Sequence, residues 1–122
     1  MKNYTSTPEE IADRKAKRAE LFGKVKNAIK ENPAPATIAT NQDQKPYSPF
    51  NQYMIAMQSG APGTYAGFHS WRILGRKVSK GAHGVLIATP IMKKEEINGE
   101  EKTSAVNFST AYIFHISQTE AI

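Results

Sequence analysis

Five cations, Lys45, Arg72, Arg76, Lys77 and Lys80, fall in a stretch from Gln44 to Met92 that contains no Asp or Glu. Six aromatics share the stretch, Tyr47, Phe50, Tyr53, Tyr65, Phe68 and Trp71, interleaved with His69 and His83. Cations neutralise phosphates and release their counterions, and aromatic faces accept stacked bases. The mixture therefore suits a single-stranded nucleic acid better than a membrane or an acidic protein. The same composition also describes a solvated basic face above an ordinary aromatic core.

Other chemistries find less support. There is no cysteine, which removes disulfides, thiol nucleophiles and thiolate metal sites. His69, His83 and His115 stand isolated, without carboxylates at metal-ligand spacing, and no His-Glu-x-x-His pattern occurs. The acid-poor middle offers no nucleophile with a base beside it, so no catalysis is expected. A net charge of +5 and a pI near 9.5 favour a polyanionic partner. The charged N-terminal segment, Met1 to Glu31, has neither a signal peptide's apolar core nor a membrane-spanning run, so the expected location is the cytoplasm.

The elements that must position these residues can be read from caps and periodicity. At 122 residues one domain is expected. Thr7, Pro8 and Glu10 open a long helix, and Asn32-Pro33 closes it. Its apolar positions, Leu21, Phe22, Val25, Ala28 and Ile29, concentrate in the second half, which should dock, while Arg14, Lys15, Lys17 and Arg18 crowd the first. Thr37 to Thr40 is β-prone and Asn41 to Lys45 is a polar turn. Ser48-Pro49 opens a second helix that runs to about Gln58.

A third helix is expected from about Thr64 to Leu74, stopping at Gly75, with Tyr65, Phe68, Trp71 and Leu74 along a drifting apolar stripe. Lys77 to Gly84 reads as a turn whose exposed amides, beside Lys77 and Lys80, could hold a phosphate. Val85 to Met92 should be a strand, paired with Phe108 to Ile116 through a long mobile connection from Lys93 to Asn107.

Three blocks in this order carry a family resemblance. Gly75-x-x-Val78-x-Lys80-Gly81-x-x-Gly84 before a strand resembles the signature of the N-terminal domain of the ArdC antirestriction family, including its LtrC-like relatives. Tyr47-x-x-x-Asn51 before an apolar helix resembles a second block, and Tyr112 to Glu120 its closing strand and turn. Together they cover most of Tyr47 to Glu120. The chain departs from the pattern at Pro49-Phe50, and at Ala82-His83, where the turn is usually charged.

The resemblance implies a single-stranded DNA-binding domain from plasmids and other mobile elements. In fuller members a metallopeptidase-like domain follows, so the chain is expected to be the N-terminal piece of a longer protein. Within it, residues 1–32 would form a leading helix and 33–122 the body.

The resulting expectation is an α+β domain: three helices on a small antiparallel sheet, ending in a long-loop β-hairpin. It would be non-catalytic, use no cofactor, and bind single-stranded DNA with little sequence preference. Arg72, Arg76, Lys77, Lys80 and, more weakly, Lys45 would meet phosphates. Tyr47, Tyr65 and Trp71 would stack on bases, although the spacing of Trp71 with Phe68 and Leu74 also suits a core position. Asn51 would bond a base edge or hold the preceding turn. The competing reading is a protein-interaction module that docks an acidic nuclease subunit, such as one of a restriction enzyme, or the following domain.

Overall fold

In the computed structural model, residues 7–122 are described, the side chains of residues 90–93 and 103–107 excepted. The apolar side chains expected from Pro90 to Met92 therefore lie outside the described residues.

The leading helix, α1 (Pro8–Glu31), starts where the cap signal places it, with the Thr7 hydroxyl accepting from the Glu10 amide at 3.1 Å. Its first half is balanced by neighbouring charges, Arg14 with Glu10 at 3.9 Å and Lys17 with Asp13 at 3.1 Å. The second half docks. Val25 is fully buried against Met54 of α2 (Pro49–Gln58) and Leu86 of β4 (Val85–Ile97), with Leu21, Phe22, Phe50 and Tyr53 packed around them.

Four strands form the main sheet in the order β1 (Ala39–Thr40), β2 (Gly63–Gly67), β5 (Glu100–His115), β4. β1 runs parallel to β2, so the sheet is mixed rather than wholly antiparallel. One face is filled by Ala39, Ile55, Tyr65, Val85, Ile87 and Ile113. A second, two-stranded sheet pairs β3 (Arg76–Val78) with β6 (Thr119–Ala121).

Helix α2 completes the sheet with amide side chains. Nε2 of Gln52 donates to the Ala39 carbonyl at 2.7 Å, and Oε1 accepts from the Ile38 and Ala39 amides at 3.1 and 3.0 Å. Asn51 and Gln58 make the same kind of pair on the far strand, at Ala88 and Leu86 of β4. One helix is thus bonded to both outer strands, which requires the four strands to curl around it. Strand backbone that faces no neighbouring strand must find another partner when buried, and here these carboxamides are that partner.

Lys77 and Val78, expected in a turn, lie in β3, because that segment pairs with β6. Two further expectations are corrected. The third helix does not start near Thr64. Gly63 to Gly67 is β2, with Tyr65, Ala66 and Gly67 registered against His115, Phe114 and Ile113, and α3 (Phe68–Ile73) is only six residues long. The flanking glycines weaken helix there, and pairing with β5 decides the outcome.

The hairpin at the C-terminal end is present, but its connection is two residues, not a long loop. Asn98 (φ 55°) and Gly99 (φ 79°) both lie in the left-handed region, the geometry of a tight turn between continuous strands. Charged residues such as Glu95 and Lys102, which suggested a loop, face each other across the ladder.

Candidate nucleic-acid interface

The five nominated cations divide by what they touch. Nε of Arg76 donates to the Thr119 hydroxyl at 2.7 Å and Nη2 to the Thr119 carbonyl at 3.2 Å, so its guanidinium ties β3 to β6. Lys77 stands directly opposite Glu120 in that ladder, with Nζ 3.9 Å from the carboxylate and both side chains exposed. Such a pair is weak and opens readily. Lys45, Arg72 and Lys80 are exposed and form no ion pair among the described residues.

Two of the three nominated aromatics are interior. Tyr65 is fully buried, its hydroxyl donating to the Ala61 carbonyl at 2.7 Å and lying 2.6 Å from the Ser59 hydroxyl. Trp71 is 2% exposed and its indole N–H donates to the Phe114 carbonyl at 2.9 Å. Neither ring has a face for a base, which corrects the stacking expectation for both. Asn51 is corrected likewise. The residue is 8% exposed, and its carboxamide gives one donor and one acceptor to the Ala88 backbone, so its role in the fold is to hold β4.

Tyr47 is half-buried, and its hydroxyl donates to the Tyr65 carbonyl at 2.8 Å. Burial pushes the phenol up to about 12, so it stays neutral.

The aromatics that do reach the surface are others. Phe68 is 44% exposed at the start of α3, edge-on to His69, on the same short helix as Arg72 and Ile73. Phe108 of β5 is 63% exposed. It lines a groove of about 490 Å³ with Tyr47, Phe50, Ser48, Ile87 and Thr89, where the start of α2 meets β4. Among the described residues no acidic one lines this groove, and Lys45 lies two residues before Tyr47. Strand alternation is the signal that could have found Phe108. Phe108 and Tyr112 share one parity and are exposed, whereas Ala111 and Ile113 share the other and pack inward.

Residues 7–114 match the family of the N-terminal domain of anti-restriction factor ArdC. The chain belongs to that family. Among solved structures, the metal-free crystal structure of the antirestriction ArdC protein from the R388 plasmid is similar over 84% of this chain, with a TM-score of 0.58 and 19% identity. At that identity the likeness speaks for the fold alone. The chain spans 41% of the length of that structure. No curated protein matches.

In this ArdC N-terminal domain the resemblance blocks do structural work. Tyr47 and Asn51 fasten the sheet at Tyr65 and Ala88. Gly84 sits so close to β5 that a Cβ there would lie 2.9 Å from Cβ of Tyr112. The close approach is to a neighbouring strand rather than to a ligand. In the closing block the Ser117 amide donates to Nδ1 of His115, which leaves the ring proton on Nε2 to bond the Pro62 carbonyl at 2.8 Å. Both nitrogens are therefore committed to holding the turn.

Among the described residues no group of three or more His, Cys, Asp or Glu side chains is placed to hold a metal ion. No helix among them is long and apolar enough to cross a membrane.

Proposed function

We propose that this domain binds single-stranded DNA with little sequence preference and performs no chemistry on it. It would form the DNA-holding part of a longer plasmid or mobile-element antirestriction protein that acts in the cytoplasm, with a metallopeptidase-like domain following. The observation that carries the reading is the surface of α3 and the turn after β3. There Arg72 and Lys80 are exposed without a carboxylate partner among the described residues, and Phe68 offers an aromatic face. Membership of the ArdC N-terminal family and the charge of +5 support it.

Free cations position a phosphate backbone without reading sequence, and an exposed ring takes a base only where the base is unpaired. The test is fluorescence anisotropy of a labelled single-stranded oligonucleotide against a matched duplex, at low and near-physiological salt. Wild type should prefer the single strand, and Arg72→Glu/Lys80→Glu should lose binding while keeping its fold.

One observation favours a second reading, docking of a protein or of the following domain. Ile73 is 86% and its neighbour Leu74 53% exposed, at the end of α3. Exposed apolar side chains gathered in one place mark interaction surfaces. Absence of single-strand binding at low salt would move the assignment there.

A further inference from the structure

The groove between the start of α2 and β4 has no assigned role, and its chemistry is specific. It measures about 490 Å³, within the range of small-ligand sites. Three aromatic rings line it, from three separate parts of the chain: Tyr47 before α2, Phe50 on α2 and Phe108 on β5. Phe50 is braced by Phe22 of α1, with ring centroids 5.8 Å apart at 30°. Tyr47 is pinned by its hydroxyl to the Tyr65 carbonyl. Phe108, at 63% exposure, is the outermost of the three.

The polar side chains of the groove are engaged within the protein. Ser48 accepts from the Asn51 amide at 3.2 Å, Asn51 holds Ala88, and the Thr89 hydroxyl lies 2.6 Å from that of Ser109. A ligand here would find ring faces and aliphatic walls, but few groups able to read its hydrogen-bonding edge. The surroundings select for charge instead: acids are absent from the lining among the described residues, and Lys45 precedes it on an exposed turn. An apolar, aromatic ligand that travels on a polyanion fits both requirements.

We propose that this groove takes one unstacked nucleobase of a bound single strand, with Phe108 as the stacking face and Lys45 on the adjoining phosphate. The assignment rests on the single-strand reading above and adds a base-binding position away from α3. It explains how a domain can prefer unpaired DNA yet ignore sequence. Every base has a π-face, only an unpaired one can leave its stack, and the groove makes little use of the edge that distinguishes bases.

The experiment compares a labelled oligothymidine with an abasic strand of equal length, using the whole chain and its Phe108→Ala and Phe108→Trp variants. Wild type should prefer the strand with bases. Phe108→Ala should weaken that strand by roughly 5- to 150-fold and leave abasic affinity unchanged, while Phe108→Trp should restore binding. Irradiation of a bromouracil-substituted strand should crosslink to the peptide that holds Tyr47 or Phe108.

Unchanged affinity in Phe108→Ala, with crosslinks elsewhere and binding still abolished by Arg72→Glu/Lys80→Glu, would overturn the base site and leave the single-strand reading standing. Wild type that binds neither strand at low salt would overturn both.

Discussion

Asn51 holds Ala88 with both ends of one carboxamide: Nδ2 donates to the carbonyl at 2.8 Å and Oδ1 accepts from the amide at 2.9 Å. Replacing it with alanine strands a buried donor and a buried acceptor on β4. Asn51→Ala should therefore cost about 2 to 4 kcal/mol, read as a lowered midpoint in urea unfolding. Asn51→Asp, which keeps only the accepting half, should also be destabilised. Affinity for a single strand, measured on the folded fraction, should not change. A loss of affinity without a loss of stability would return Asn51 to a base-reading role.

Gly63 (φ 136°) faces Nε2 of His115, and a Cβ there would lie 2.6 Å from it. Gly63→Ala combines backbone strain with displacement of a ring whose two nitrogens are both bonded, so a loss of about 2 to 4 kcal/mol is expected. Gly67→Ala is the control. Gly67 has open space and an ordinary extended φ of −67°, and its replacement should be neutral or slightly stabilising in the same thermal melt.

The Tyr47 phenol is raised by burial from 10.0 to about 12, so the fold favours its neutral form. That contribution is complete below pH 10 and is lost as pH climbs through about 12. Tyr47→Phe should cost about 1 kcal/mol at pH 7, through loss of the bond to the Tyr65 carbonyl. The gap between wild type and variant should then narrow between pH 10 and 12. Urea unfolding at a series of alkaline pH values would test this, and a constant gap would contradict it.

Of the five nominated cations, Arg76 is held by Thr119 and Lys77 would first have to leave Glu120, so Lys45, Arg72 and Lys80 are the ones that would meet a phosphate without breaking a contact. Three contacts correspond to a slope of about −2 in log affinity against log salt for a single strand. Arg72→Ala and Lys80→Ala should each reduce its magnitude by about 0.7 without changing stability. Arg76→Ala should behave in the opposite way, lowering the melting temperature and moving the salt slope little.

Local grammar carried much of this fold. The caps at Thr7 and Ser48, the polar turn at Asn41 to Lys45 and the apolar run from Val85 are decided by neighbours in sequence, and each lies where those neighbours place it. The segment from Thr64 to Leu74 was not legible, because its fate depends on pairing between Tyr65 and His115, fifty residues apart. The site divides the same way. Residue type identified Lys45, Arg72 and Lys80 as cations, but only tertiary contacts separate them from Arg76, whose guanidinium is held by Thr119. Tyr65 and Trp71 read as stacking rings by type and are interior by packing, whereas Phe68, on the expected apolar stripe, and Phe108, which residue type alone gave no site role, are exposed.

The carboxamides of α2 have a further consequence for the molecule in company. An outer strand with free amides and carbonyls is a template on which another chain can add, and β1 and β4 are both outer strands. Gln52 at one and Asn51 with Gln58 at the other occupy those positions from within. At Ala39, Leu86 and Ala88, α2 thus acts as a guard against strand-to-strand polymerisation. Its failure would show as concentration-dependent association, and a shortened helix should yield oligomers before it yields unfolded chains.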